Sequence, residues 1–435
     1  MRDYLKETNT KYIESYYGGV PELLNQYGSL KSLLKSMLTE PYNVHTILSV
    51  ERLEGFLNLN LTLGHGFYKN QVITLSGFTD AELNVDYRIA EVGVGFVSIK
   101  FENELKTDFS GDVLELKGTP LGYDIIFEDV ENGVICFKNK STKSPAVLKL
   151  IDYLPPNDYN PSWSKFARVC IGQEIDSEGN FIGNRKAPYH PDFIDCELYG
   201  NGVKGAAGIH GFAKWTYSLR TSTTSQENVA PSPDYQGRWT LIGDDKCFYL
   251  LINTVGVLSD SNYSFDIVGY GTFKSFNPLE TSNICLQAKD GFISADSNSN
   301  ANPVRPRSFF GALNYTDSGF LLTDNYNSHK SGYNRCKNIG YYLSGGSISH
   351  PWRAGDIQPY DGNLNIIKTE FLLKDHFNYI RGKNRGIYTL YGFISVKESF
   401  VDSEGNLFKT VQDPLVTTEY SKAPILFTLL NWEEV

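Results

Sequence analysis

The sequence contains no long apolar run. No stretch of its 435 residues approaches the roughly 20 apolar residues that a membrane-spanning helix requires. The N-terminal segment MRDYLKETNTKYIESYY also lacks the apolar core of a secretory signal. We therefore expect a soluble chain that spans no membrane and is not exported by the usual signal route.

Basic residues are in deficit, because 40 lysines and arginines face 50 aspartates and glutamates, a net charge of −10. A general nucleic-acid binder presents a basic face to the phosphates, so no nucleic-acid partner is expected. The one compact basic cluster is YIRGKNRGIY, which places Arg381, Lys383 and Arg385 between aromatic residues. We interpret it as a solvated basic turn or a protein interface, and contact with a phosphate backbone stays the alternative.

Motifs of the common enzyme classes are missing. The sequence has no GxSxG, no Walker loop, no GxGxxG and no HExxH. The segment GGSIS, residues 345–349, and the following His350 have the residue types of a hydrolase but lack the nucleophile elbow. His65, within GHGF, has no second histidine at ligand spacing and is expected to hydrogen-bond within its turn. We predict no catalytic, cofactor-binding or metal site, no cofactor and no enzymatic activity.

The cysteines show neither a metal-ligand spacing nor a CxxC pair. A chain of this length does not need disulfides, so we predict free, buried thiols in a protein made in a reducing cytoplasm. The six residues are Cys136, Cys170, Cys196, Cys247, Cys285 and Cys336.

One amphipathic helix is predicted, in GSLKSLLKSMLTEP, with Ser29 as its N-cap and Pro41 as its stop. Before it lies a polar, tyrosine-rich arm of about twenty residues that we expect to fray or to dock on a partner. The apolar stripe of the helix holds Leu30, Leu33, Leu34, Met37 and Leu38.

The rest of the chain is predicted to be β-structure. Tyrosine, phenylalanine and glycine are abundant, with 28, 26 and 39 residues, and segments such as FLNLNLTL alternate apolar and polar side chains. We predict a mostly β protein with several small antiparallel β-sandwich or barrel domains and a short N-terminal helical segment. The predicted division is an arm and helix (1–42), a small β-domain (43–119), a central β-domain (120–271) and a C-terminal β-domain (272–435).

Two polar motifs are predicted to be hairpin tips. DSEGN occurs twice, at residues 176–180 and 402–406, and its composition favours a tight reversal over a calcium loop. In GRWTLIGDDKCFYLLI, the adjacent Asp244 and Asp245 suggest a metal pair, but GDDK also suits a four-residue reversal between two strands. We favour the reversal and expect both carboxylates at an exposed tip.

The order of these elements resembles structural proteins from the tails and baseplates of tailed double-stranded DNA bacteriophages. The resemblance extends from about residue 17 to residue 395. It implies no catalytic residues. It rests on the segments YGSLKSLLKSML, LTLGHGFYKNQVITLSGFTDAELNVDYRI, FVSIKF, LGYDIIF, NKSTKSPAVLKLID, FARVCIGQEI, AKWTYS, RWTLIGDDKCFYLLI and RGKNRGIYTLY.

The resemblance implies a virion structural protein that is assembled in the host cytoplasm and acts within a tail or baseplate. Its partners would be further copies of itself and other tail proteins, with the arm and helix docking on a neighbour. One alternative is a receptor-binding protein that engages a cell-surface glycan, because a high tyrosine content suits stacking against sugars. A glycan-cleaving enzyme is the third alternative.

Overall fold

The fold is described from a computed structural model, which covers residues 3–103, 113–154, 165–189, 212–218, 236–253, 265–291, 319–324, 326–327, 337–339, 367–375, 379–391, 399–402, 404–411, 425–430 and 432. Within these ranges the protein is mostly β, with antiparallel sheets and a single α-helix. The predicted fold class is therefore confirmed. Among the described residues no helix has the length and apolar character needed to cross a bilayer.

The helical elements are the α-helix α1 (Ser29–Thr39) and two short 3-10 turns (Tyr4–Lys6 and Ala81–Leu83). The strands, in chain order, are β1 (Lys11–Glu14), β2 (Leu23–Leu24), β3 (Tyr42–Thr46), β4 (Ser49–Leu53), β5 (Phe56–Asn60), β6 (Val72–Ser76), β7 (Asp86–Val92), β8 (Phe96–Lys100), β9 (Glu115–Gly118), β10 (Asp124–Asp129), β11 (Val134–Lys138), β12 (Val147–Ile151), β13 (Phe166–Gly172), β14 (Lys186–Ala187), β15 (Phe212–Thr216), β16 (Gln236–Gly237), β17 (Trp239–Gly243), β18 (Cys247–Asn253), β19 (Phe265–Thr272), β20 (Lys274–Ser275), β21 (Asn283–Gln287), β22 (Lys289–Gly291), β23 (Gly319–Thr323), β24 (Tyr326–Asn327), β25 (Lys337–Ile339), β26 (Ile367–Lys374), β27 (Ile380–Tyr391), β28 (Ser399–Val401), β29 (Leu407–Val411) and β30 (Ile425–Thr428).

Four large sheets account for most of these strands. The central sheet has the order β1-β17-β18-β19-β21-β23-β24, and the facing sheet has the order β10-β11-β12-β13-β15-β22 with β14 beside β13. The C-terminal sheet has the order β25-β26-β27-β30-β29-β28 with β20 beside β27, and the curled sheet has the order β3-β9-β6-β7-β8-β5-β4. Residue 271 is the predicted boundary between the central and C-terminal domains, yet the central sheet takes strands from both sides of it. The four-domain division itself stays a prediction.

The central and facing sheets pack face to face around one core. The rings of Trp215 and Phe248 meet edge to face at 6.0 Å between centroids, one from each sheet. Trp215 also donates its indole N–H to the carbonyl of Gln287 at 2.8 Å, and the Tyr270 hydroxyl donates to the carbonyl of Ala146 at 2.7 Å. Strand β18 is apolar on both sides in sequence and is buried along its described side chains, as a strand between two layers should be.

The curled sheet has its own core and is strongly bent. Strands β3 and β4 are its two edges, yet only Ile47 and Leu48 separate them in sequence. The sheet must therefore bend until its edges approach each other. The residues that fill its interior are Ile47, Leu57, Leu59, Leu61, Phe67, Ile73, Leu75, Phe78, Leu83, Ile89, Val97, Ile99, Phe101, Leu114 and Leu116.

Helix α1 buries its predicted apolar stripe in the core of the central and facing sheets and ends before Pro41. Its predicted cap is wrong. The N-cap is Gly28, whose φ of 88° favours glycine, and the Ser29 hydroxyl accepts instead from the Leu24 N–H at 2.7 Å. The Lys31 N–H, in the first turn of the helix, donates to the buried carboxylate of Asp152 at 3.0 Å, so a residue 121 positions away supplies the cap.

Part of the N-terminal arm is a strand. Residues Lys11–Glu14 form β1 and pair with β17, so the arm is the edge strand of the central sheet of its own chain. This pairing satisfies the backbone groups of β1 that face β17, which the polar sequence of the arm does not reveal.

Arg88 joins the arm to two other parts of the chain. Its side chain is fully buried on β7, and burial lowers its pKa to about 10. The guanidinium donates to the carbonyls of Glu7 and Thr10 in the arm, of Asn70 in the curled sheet and of Leu429 near the C-terminus, at 2.7 to 3.0 Å. Carbonyl dipoles thus replace water around a buried cation.

We predict that Asp152→Ala lowers the free energy of unfolding by about 2 kcal/mol, because it removes a helix cap and a buried hydrogen bond. The lost bond is the one that the Tyr217 hydroxyl donates to Asp152 at 2.7 Å. Urea denaturation followed by circular dichroism measures the change. The matched control is Asp124→Ala. The carboxylate of Asp124 is half-exposed and pairs with Lys140, so its removal should lower the free energy of unfolding by less than about 1 kcal/mol. An equal decrease in the free energy of unfolding in the two variants would contradict the role of Asp152 as the cap of helix α1.

Candidate functional site

The GDDK segment forms the predicted hairpin tip. Strands β17 and β18 pair antiparallel, with Gly243 opposite Phe248. The Asp244 carboxylate accepts from the backbone N–H groups of Lys246 and Cys247, both at 2.9 Å, which fixes the reversal. The expected exposure is wrong for Asp244, which is buried.

The partner that permits this burial is Arg385 of the YIRGKNRGIY motif. Its Nη2 lies 2.7 Å from Asp244 Oδ2, and both side chains are nearly inaccessible to solvent. Arg385 also donates to the Thr272 hydroxyl at 2.8 Å and to the Trp432 carbonyl at 2.6 Å. Burial is the largest single effect on Arg385 and lowers its pKa, but the charge of Asp244, its hydrogen bond and the charges of Cys247 and Tyr249 together outweigh burial, so the pKa is raised.

Asp245 differs from Asp244 in its surroundings. Its side chain is partly exposed, and burial together with the charge of Asp244 raises its pKa. Within the described ranges, no group of three or more histidine, cysteine, aspartate or glutamate side chains is placed to hold a metal ion. The aspartate pair is therefore a structural feature of the hairpin.

The basic motif is part of a strand, β27, and not a turn. Each of its three cations has a carboxylate partner. Arg381 contacts Asp375 at 2.6 Å and Lys383 forms an ion pair with Glu370, while Arg385 is paired with the GDDK hairpin. This compensation of charge disfavours the phosphate-backbone alternative, which needs cations that can replace counterions.

Two cavities open beside β27. We call the first the polar pocket; it encloses about 260 Å³. We call the second the aromatic groove; it is shallower and measures about 390 Å³. The polar pocket is lined by side chains that include Lys274, Glu370, Lys383, Asn384, Tyr388 and Trp432, and the aromatic groove by Phe276, Asn277, Glu280, Tyr379, Ile380 and Arg381.

His65 hydrogen-bonds within its turn, as predicted, and its side chain is buried. Its Nδ1 accepts from the Phe67 N–H at 3.1 Å, and its Nε2 lies 3.1 Å from the Gly93 carbonyl. The neighbouring Gly66 has a φ of 70°, and a Cβ there would lie 2.7 Å from the backbone of Gly18 in the arm. The GHGF turn therefore joins the arm to the curled sheet.

The DSEGN repeats are matching hairpin tips, which confirms the prediction. Asp176 Oδ1 accepts from the N–H groups of Glu178 and Asn180, both at 2.9 Å. Asp402 Oδ1 accepts from the residues at the same two positions, at 2.9 and 2.8 Å. In both tips one oxygen of the first aspartate thus fixes the reversal.

The remaining sequence candidates are only partly described. Four cysteines, at positions 136, 170, 247 and 285, are free and buried, as predicted, and burial raises the pKa of Cys136 and of Cys247 to about 12. Cys196, Cys336 and the GGSIS segment with His350 lie outside the described residues.

Comparison with known proteins yields no match, either to a protein-family model or to a curated protein. The resemblance to phage tail proteins therefore stays a prediction.

We predict that Arg385→Met lowers the free energy of unfolding by about 3–5 kcal/mol, because it leaves the buried Asp244 without its counter-charge. The double variant Asp244→Asn/Arg385→Met should recover part of that loss, since no charge then remains buried. Chemical denaturation of the single and double variants gives the coupling energy.

The matched control is Lys383→Met on the same strand, which breaks the more exposed pair with Glu370 and should cost less than about 1 kcal/mol. A similar decrease in the free energy of unfolding for Arg385→Met and Lys383→Met would show that the buried ion pair contributes no more to stability than the exposed one.

Proposed function

We propose that the protein is a structural component of a phage tail or baseplate and acts by symmetric assembly in the virion after synthesis in the host cytoplasm. The resemblance of its motif order to such proteins supports this, and the multi-sheet antiparallel β-fold is compatible with it. Catalysis is not part of the proposal.

The observation that carries the proposal is the exposed apolar surface of the curled sheet. Among the described residues, half of the exposed large apolar side chains lie between residues 42 and 118. Contiguous apolar surface on a soluble protein marks a site of protein contact. The nine side chains are Val44, Leu48, Leu53, Leu63, Tyr68, Val85, Val92, Val94 and Val113.

Three of these side chains belong to one end of the sheet. Leu48 follows the edge strand β3, and its N–H donates to the carbonyl of Asn60 at the end of β5. Leu63 lies just beyond β5 and approaches Gly95, which is next to Val94 in the turn between β7 and β8. Leu48, Leu63 and Val94 are 63%, 78% and 80% exposed. We call this end the apolar rim.

Assembly would bury the apolar rim. Each large apolar side chain that passes from water into an interface stabilises the assembly by about 1.5–3 kcal/mol. A surface of this kind, repeated on each copy, suits the symmetric contacts of a homo-oligomer or a contact with a neighbouring tail protein.

We predict that the full chain forms a defined oligomer, or a complex with tail proteins, and that Leu63→Asp/Val94→Asp weakens it by at least about tenfold in dissociation constant, because each carboxylate must be desolvated in the interface. Sedimentation velocity over a range of concentrations measures the wild type and the variant.

The matched control is Val130→Asp, which places the same charge at a 73% exposed position of the β10–β11 turn, away from the apolar rim. This variant should assemble as the wild type does. A strictly monomeric wild type that binds no tail protein, or an equal effect of the control, would overturn the proposal.

A further inference from the structure

We propose that the aromatic groove and the polar pocket beside β27 together form a binding site for an extended oligosaccharide. This goes beyond assembly, because it assigns to the C-terminal sheet a ligand class of its own.

The aromatic groove exposes rings that a soluble protein would normally cover. Phe276 is 53% exposed and Tyr379 is 66% exposed, and both border the same shallow cavity. The C–H face of a sugar ring is apolar and packs against an aromatic ring while its hydroxyls remain available for hydrogen bonds. An open groove with two such rings fits a saccharide.

Polar side chains next to these rings are held in place by the fold. Arg381 donates from Nε to the fully buried carboxylate of Asp375 at 2.6 Å, and its guanidinium lies 6.0 Å from the centre of the Tyr379 ring. The Ser275 hydroxyl donates to Glu280 at 2.5 Å. Donors and acceptors that are already oriented lose little conformational entropy when a ligand binds.

The two cavities follow each other along the same pair of strands. In the β20–β27 ladder, Lys274 lies opposite Lys383 at the polar pocket. Two residues further, the Phe276 N–H donates to the carbonyl of Arg381 at 3.0 Å, at the aromatic groove. Successive subsites along one ladder suit a chain of similar units rather than a single compact molecule.

The polar pocket supplies the chemistry expected of a second sugar subsite. It is lined by the ring of Tyr388 and, more deeply, by the buried side chains of Trp432 and Asn384, and the Asn384 amide oxygen already accepts from Gln287 Nε2 at 2.9 Å. The ion pair of Lys383 and Glu370 adds a donor and an acceptor to the same lining. A charged donor and a charged acceptor beside an aromatic ring recognise hydroxyl-rich ligands, whereas a nucleic acid needs uncompensated positive charge.

The test uses the full chain on a printed array of bacterial capsular polysaccharides, lipopolysaccharides and cell-wall polysaccharides. The oligosaccharide released from the strongest spot is then titrated calorimetrically as a free, monovalent ligand, so that multivalent assembly does not raise the apparent affinity. We expect a specific signal. We also expect Tyr379→Ala and Phe276→Ala each to weaken binding by at least about tenfold.

Two control variants make the test specific. Tyr379→Phe keeps the ring and loses one hydroxyl, so it should bind within about fivefold of the wild type. Tyr153→Ala removes a tyrosine that is 51% exposed away from the β20–β27 ladder and should bind unchanged. Circular dichroism spectra and thermal unfolding establish that each variant is folded.

The proposal would be overturned if no saccharide on the array gave a signal, or if Tyr379→Ala bound with wild-type affinity. It would also be overturned if Tyr153→Ala lost as much affinity as Tyr379→Ala. A loss of tail-protein binding in Tyr379→Ala, with no saccharide signal, would instead make this surface a protein interface. The Leu63→Asp/Val94→Asp variant should bind the oligosaccharide with wild-type affinity. The experiments therefore distinguish a failure of the assembly proposal from a failure of the glycan-binding proposal.

Discussion

The ion pair between Arg385 and Asp244 is a buried polar contact that joins the C-terminal sheet to the central sheet. It joins the tip of a central-sheet hairpin to the long strand of the C-terminal sheet, 141 residues later in the chain. Removing two charges from water is costly, and the pair offsets this because nearly every hydrogen-bonding direction is used. The Thr272 hydroxyl and the Trp432 carbonyl complete the shell of the guanidinium. A displacement of one sheet relative to the other would leave a buried charge without its partner, which is costly.

The same physical device recurs at Arg88 and Asp152. Arg88 gathers carbonyls from the arm, the curled sheet and the C-terminal segment, and Asp152 caps a helix far from it in sequence. In each case one buried polar side chain satisfies backbone groups that would otherwise lie unpaired in the interior. Segments distant in the chain are thereby fixed to one another, and the N-terminal arm is held within its own molecule.

This internal framework leaves two kinds of surface for outside contacts. The apolar rim belongs to the curled sheet, which has a core of its own, while the aromatic groove and the polar pocket belong to the C-terminal sheet. An apolar surface favours contact with protein, and aromatic rings beside oriented polar groups favour a hydroxyl-rich ligand. Because the two surfaces lie on different sheets, assembly and ligand recognition can be altered independently by substitution.

Local patterns in the sequence were sufficient for the mostly β fold, helix α1, the hairpin tips at DSEGN and GDDK and the turn role of His65, because each depends on side chains a few residues apart. They were not sufficient for the cap of helix α1, the pairing of the arm or the environment of Arg88, since NVDYRIAEV carries no sign that its arginine will be buried. The GDDK and YIRGKNRGIY motifs were each visible in the sequence, and each was expected to be exposed. Only the tertiary structure brings them together, because the stabilisation of a buried charge comes from a counter-charge that the fold, and not the neighbouring sequence, places within hydrogen-bonding distance.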